Sequence, residues 1–171
     1  LTSLDISQNI ALVGLNCNNN QLTSLDISQN IALVGLNCNN NQLTSLDLSQ
    51  NTALTDLNCT DNSITNLDVS QNIVLESLSC ENNQITALDL KNCTNINDLR
   101  ATNNEITYVY FADSTDFNQI KLNNNKIDSL NFASLNYLNT GKWLLLRDNQ
   151  LSSLDLTKVK IHFLMCDSNQ L

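Results

Sequence analysis

Residues 1–21 read LTSLDISQNIALVGLNCNNNQ, and residues 22–42 repeat them letter for letter. The pattern restarts at Leu43, Ile64, Ile85, Ile106, Ile127 and Leu151, and Leu171 opens what would be a ninth unit. The unit from Ile127 carries about three extra residues, and the unit from Leu151 is about one short. Two half-patterns alternate within each unit, L-T-x-L-D-(I/L/V)-x-x-N and L-x-x-L-x-C-x-x-N. In the second, apolar residues two apart (Leu15 and Cys17, Leu36 and Cys38, Leu57 and Cys59) place both side chains on one face of a short strand. A single coil has nothing to bury that face against. Stacked coils bury it by pairing each strand in parallel with the next, about 4.8 Å per rung. Each buried Leu then contributes roughly 1.5–3 kcal/mol against the entropy of ordering the chain. The period therefore predicts one solenoid across residues 1–171, of about eight rungs.

Two side-chain rows show how such a coil closes. Asn20, Asn41, Asn62, Asn83, Asn104, Asn125, Asn149 and Asn169 recur in every unit. An amide offers both donors and an acceptor, so this row is expected to bind orphan backbone groups where the coil turns away from the strand. Asn also tolerates left-handed backbone, which explains how three glycines and no proline suffice. Cys17, Cys38, Cys59, Cys80 and Cys166 take the second apolar strand position, and Ala101, Leu122 and Leu146 replace them in between. Ala and Leu can only pack. Neighbouring thiols on in-register rungs lie about 4.8 Å apart, farther than the roughly 3.8 Å between Cβ atoms that a disulfide favours. A straight ladder does not supply the tetrahedron of zinc either. The row is read as free, buried thiols acting as small hydrophobes, with no metal and no cofactor. Cys93 stands apart, where other units place Asn9, Asn30, Asn51 and Asn72, and its partner is open.

The charge is uneven. Residues 1–90 hold nine acidic side chains and no Lys or Arg, whereas residues 91–171 hold eight of each sign. A net charge of −9 argues against nucleic-acid partners, which are met by clustered Lys and Arg. No apolar run is long enough to cross a bilayer, so no direct membrane insertion is expected. All eight aromatics lie between Tyr108 and Phe163, which suggests that the two halves meet different things.

The core L-x-x-L-x-(L/C)-x-x-N-x-L, seen as LVGLNCNNNQL, resembles the signature of leucine-rich repeats. Its 21-residue form, LTSLDISQN followed by LVGLNCNNN with a cysteine ladder, is similar to internalin-type repeats of bacterial surface and secreted proteins, including surface proteins of Bacteroidetes. The resemblance covers essentially the whole chain. It implies a leucine-rich-repeat solenoid with parallel strands on the concave face, extended or short-strand segments and turns on the convex face, and essentially no α-helix. It further implies a secreted or cell-surface location and a role in adhesion or attachment to a protein or cell-surface ligand. The chain opens directly on a repeat, without signal peptide, flanking caps or wall anchor, and is read as a piece of a longer protein.

In such a solenoid the residues that flank each inward Leu face outward. One row reads Gly14, Gly35, Asp56, Ser77, Asp98, Gln119, Trp143, Phe163, and the next reads Asn16, Asn37, Asn58, Ser79, Arg100, Lys121, Leu145, Met165. The row following the strand ends on Asn123, Arg147 and Asp167. Early rungs are small and polar, middle rungs charged, late rungs aromatic and aliphatic. Arg100, Lys121, Trp143, Leu145, Arg147, Phe163, Met165 and Asp167 are the candidate binding residues, since aromatic and Arg side chains dominate interfaces. Three readings of the Trp143–Met165 cluster stand: an exposed interaction patch, a contact for a further repeat or cap, or residues turned inward by the irregular spacing after Ile127. On the other half-repeat, Asp5, Asp26, Asp47, Asp68, Asp89 and Asp155 form a row broken by Tyr110 and Asn131. Each Asp either accepts hydrogen bonds within its own coil or shares a bridging cation such as calcium, although no calcium-loop spacing is present. Tyr108 and Tyr110 make a smaller contact patch on that side.

Catalysis has little to stand on. The one histidine, His162, lies four residues before Cys166, a member of the buried row. No phosphate-cradling loop and no metal-ligand spacing occur. The chain is expected to be a non-enzymatic binding module with recognition biased to the C-terminal repeats. A passive spacer, favoured by the identical first two units, and a substrate-recognition segment of a larger enzyme or effector are the alternatives.

Overall fold

A computed structural model of the chain describes residues 1–112, 116–132 and 142–171. Its strands, numbered in chain order, form two parallel sheets on opposite half-coils. The larger contains β1 (Gly14–Asn16), β2 (Gly35–Asn37), β3 (Asp56–Asn58), β4 (Ser77–Ser79), β6 (Asp98–Arg100), β8 (Gln119–Lys121), β9 (Lys142–Leu145) and β10 (Ile161–Met165). The smaller pairs β5 (Ala87–Leu90) with β7 (Tyr108–Phe111). Among the described residues there is no helix. The molecule is a leucine-rich-repeat solenoid.

The repeat period sets the register. Leu15 pairs with Leu36, Leu36 with Leu57, Leu57 with Leu78 and Leu78 with Leu99, each on the inward side. Past the longer unit the alignment holds, with Ile120 opposite Leu144 and Leu144 opposite Leu164. The extra residues of the unit from Ile127 fall within 133–141, outside the described residues.

The core runs the length of the stack. Cys38, Cys59 and Cys80 are fully buried, as are Ala101, Leu122 and Leu146 in the same row, and all the cysteines are free thiols. Burial pushes the Cys17, Cys38 and Cys59 thiols up, outweighing a backbone hydrogen bond at each, and pushes that of Cys80 to about 12. Cys166, on the outermost strand among the described residues, departs from the expected burial and is only half-buried. Three of the late aromatics fill the core. Phe111 stacks on Phe132 at 5.5 Å and meets Phe117 edge-on at 5.2 Å.

Three of the asparagine rows have different structural duties. Asn41 donates to the carbonyls of Cys17 (3.1 Å), Cys38 (3.0 Å) and Asn39 (3.3 Å), while its Oδ1 accepts the Leu22 N–H at 3.0 Å. One amide thus closes its own turn and staples it to the coil before, and the pattern continues to Asn169. The left-handed residue is the one before it: Asn19, Asn40, Asp61, Asn82, Asn103, Asn124, Asp148 and Ser168 have φ between 53° and 58°. These side chains bond along the solvent side, as in Asn40 Nδ2 to Asn19 Oδ1 at 2.7 Å and Asn103 Nδ2 to Asn82 Oδ1 at 2.6 Å. The third row is buried. Asn30, Asn51 and Asn72 each donate to two carbonyls of the preceding coil, and their Oδ1 atoms lack partners. Cys93 occupies this row, its Sγ 3.6 Å from Val69 O and 3.7 Å from Asn72 O. A thiol keeps a weak donor there and removes the unsatisfied oxygen.

Candidate binding surfaces

The large sheet displays its outward residues as a graded strip. At its start Gly14 and Gly35 leave open space, since a Cβ at either would meet nothing within 4 Å. With Asn16, Asn37, Asn58 and Ser79 they line a shallow groove of about 490 Å³ that ends at Arg100. The middle rungs are tied by charge. The Arg100 guanidinium forks onto Asp98 at 3.1 and 2.8 Å, and Gln119 donates to the same carboxylate at 3.0 Å. The hydrogen bonds that Arg100 donates to Asp98 hold its pKa above the usual value. Lys121, half-buried on the next strand, makes no ion pair among the described residues.

The last two rungs change character. Trp143 is 47 % and Phe163 40 % exposed, although they are in register on adjacent strands with ring centroids 5.0 Å apart. Leu145 and Met165 sit in register beside them and are half-buried. Arg147 closes one margin, its Nε 3.1 Å from Asp148 and 3.0 Å from Asp167. Trp143, Leu145, Phe163, Met165, Arg147 and Asp167 therefore meet in one place. Lys121 lies on the adjoining strand, and Arg100 one strand further away. The irregular unit does not turn the aromatics inward, because Leu144 fills the inward position of β9. A feature not foreseen is Lys142, buried at the start of β9 and paired with Asp116 at 2.6 Å.

The opposite half-coil carries the aspartates. Asp5, Asp26, Asp47 and Asp68 accept the N–H of Ser7, Ser28, Ser49 and Ser70 at 2.9–3.0 Å, and Asp155 accepts that of Thr157 at 2.9 Å. These backbone N–H groups hold each carboxyl below the usual range, while a neighbouring aspartate opposes the shift at Asp5, Asp47 and Asp68. Asp89 accepts the Lys91 N–H at 3.1 Å and pairs with its ammonium at 3.6 Å. Among the described residues no three His, Cys, Asp or Glu side chains converge as a metal site. Among the described residues no helix is long and apolar enough to cross a membrane. His162 is exposed on β10, whereas Cys166 packs against the core.

No protein-family model and no curated protein matches the sequence. Solved structures do. The functional domain of InlJ from Listeria monocytogenes, which includes a cysteine ladder, is similar at 28% identity and TM-score 0.54, with 98% of this chain and 46% of that one covered. A leucine-rich-repeat protein of Leptospira interrogans is similar at 26% identity and TM-score 0.77, over 96% of this chain and 45% of that one. A plant ice-binding protein, at 18% identity and TM-score 0.54 over 84% of this chain and 58% of that one, shares the fold alone. The chain spans less than half the length of the first two. The class is that of leucine-rich-repeat solenoids, and within it the chain is internalin-like. The fold by itself does not name a ligand.

Proposed function

We propose that this chain is the recognition segment of a secreted or bacterial cell-surface protein, a non-catalytic module that adheres to a protein or cell-surface ligand through its C-terminal rungs. The observation that carries the reading is the exposed Trp143–Phe163 pair on the sheet face, flanked by Leu145 and Met165. Large aromatic rings left in solvent beside Arg and Lys have the composition of binding hot spots. The internalin-like neighbours support a surface role. Rungs one to four, acidic and Asn-rich with two identical units, serve as the stalk that carries this end.

The test replaces Trp143 and Phe163 with Ala together and compares the variant with the parent for binding to immobilised epithelial-cell surface proteins and to bacterial envelope fractions. Binding is expected to fall at least about tenfold, the equivalent of one hot-spot residue, with the melting temperature nearly unchanged. Retained binding, or a large drop in melting temperature, overturns the surface-patch reading. A calcium titration of the melting temperature addresses the row Asp5, Asp26, Asp47, Asp68 and Asp89; since their oxygens already accept backbone donors, no shift is expected.

A further inference from the structure

We propose that the cleft beside Tyr108 and Tyr110, on the half-coil opposite the Trp143 patch, is a separate binding site for a neutral saccharide. The strand pairing sets Ala87 opposite Tyr108 and Asp89 opposite Tyr110, so both tyrosines project from the outward side of β7. One period later the same two positions hold Ser129 and Asn131. Two large rings therefore stand beside a rung of small side chains. The space left between them is a cleft of about 570 Å³ lined by Lys91, Tyr108, Tyr110, Phe111, Ser129 and Asn131, inside the range of roughly 300–1,000 Å³ typical of small-molecule sites. Both rings are 45 % exposed and lie 4.9 Å apart at 56°. This tilt presents them as a faceted platform rather than a closed stack.

Three features of the cleft select the ligand. Exposed ring surface accepts the C–H face of a pyranose, which is apolar and flat on the scale of a phenol. The rim mixes hydrogen-bonding types: the Ser129 hydroxyl, which donates to Asp128 at 2.9 Å, still accepts, the Lys91 ammonium donates, and Asp89 beside it accepts. Sugar hydroxyls both donate and accept, and they match such a rim. Charge decides the rest. The Lys91 ammonium is 3.6 Å from Asp89 and 4.0 Å from the centroid of the Tyr110 ring, so the one cation of the cleft is already compensated. A phosphate or carboxylate ligand finds no free positive charge there and meets the aspartate row of the preceding rungs. A proline-rich segment, another occupant of aromatic grooves, is poor in N–H donors and offers little to the remaining acceptor sites of Asp89 and Ser129.

The test is saturation-transfer NMR on the full chain with cellobiose, maltose, lactose and chitobiose. At least one is expected to receive transfer, and its affinity to weaken about tenfold or more when Tyr108 and Tyr110 are both changed to Ala. Ser129→Trp fills the cleft from an exposed position without removing a ring, and it is expected to abolish the transfer; circular dichroism checks that both variants fold. The Trp143→Ala, Phe163→Ala variant is expected to bind the sugar as the parent does, so the fate of this cleft is read independently of the sheet-face patch. Transfer to none of the four, transfer that survives both cleft variants, transfer lost with Trp143 and Phe163, or binding of an oligoproline peptide in place of the sugars overturns the proposal.

Discussion

The first four rungs and the last four share one plan and show solvent different things. From β1 to β4 the sheet face carries Gly, Asn and Ser with one Asp, and inward residues pair at a constant interval of one repeat. From β6 to β10 the same outward positions carry an Asp–Arg fork, a lone Lys, and then the stacked Trp143 and Phe163. The inward row barely changes along the way, from Leu36 through Leu99 to Leu144. A strand sends alternate side chains to opposite faces, so a rung must match its neighbours inside while its outward positions are free to vary. The regular half shows what stacking requires. The irregular half shows what stacking permits.

The two halves are expected to differ most in the core. Leu57→Ala empties a fully enclosed site in the middle of the stack and is expected to cost about 2–5 kcal/mol in urea melts. Leu164→Ala, at the same register position on β10 but 40 % exposed, is expected to cost less than about 1 kcal/mol. Equal losses would show that the last rung is as well enclosed as the third. The next effect concerns the asparagines. Asn62→Ala strands the Leu43 N–H and takes a donor from the carbonyls of Cys38 and Cys59, while the Thr60 carbonyl keeps the Asn40 N–H, a loss of about 1–3 kcal/mol. Asn40→Gly keeps the left-handed turn and removes only a solvent-side amide bond, with an expected change within about 0.5 kcal/mol. Similar losses at the two sites would merge rows that the geometry separates.

The smallest effect is the pH dependence, seated mostly in the regular half. The carboxyls of Asp5, Asp26, Asp47 and Asp68 are lowered in the folded chain, so their contribution is present above the unfolded value of about 3.9 and is lost as pH falls through the folded values. The thiols are raised, so their contribution is full below an unfolded value of about 8.5 and declines as pH rises toward the folded values, about 11 for Cys93 and about 12 for Cys80. Thermal melts across pH are expected to show a plateau between these limits, and Asp26→Asn with Asp47→Asn to make the acid limb shallower. An acid limb unchanged by that pair of substitutions would assign it to other carboxylates.

How far the sequence carried the reading differs from element to element. The inward Leu and Cys positions were legible because a period shared by several units leaves one way to align them. The staple row was legible as its own role, since Asn41 and its counterparts are Asn in every unit whereas the column of Asn40 also admits Asp61, Asp148 and Ser168. That this second column is the left-handed one is told only by the backbone angle. Cys93 was visible as an exception in a column of Asn, and its burial near two carbonyls explains why a thiol serves there. The period also marks Phe111 and Phe132, which extend the inward row of Ile6, Ile27, Leu48, Val69 and Leu90, and Phe117, which extends that of Leu33, Leu54, Leu75 and Ile96, whereas Trp143 and Phe163 fall on an outward row. The tyrosine cleft did leave a trace, since Tyr110 and Asn131 interrupt the aspartate row, but a volume between side chains is not written in a spacing.

By itself, the sequence determined that this chain stacks, which positions form its core, and that its two halves differ in charge and aromatic content, because burial in a solenoid depends on residue type at a repeated interval. Only the tertiary structure decided that Trp143 and Phe163 meet in solvent rather than turning inward, that Lys142 is buried against Asp116, and that the two tyrosines overlook an open cleft. Those outcomes depend on pairing across a unit of irregular length and on the space between neighbouring rungs. Backbone hydrogen bonds and side-chain volumes set both of these, and neither is periodic in the sequence.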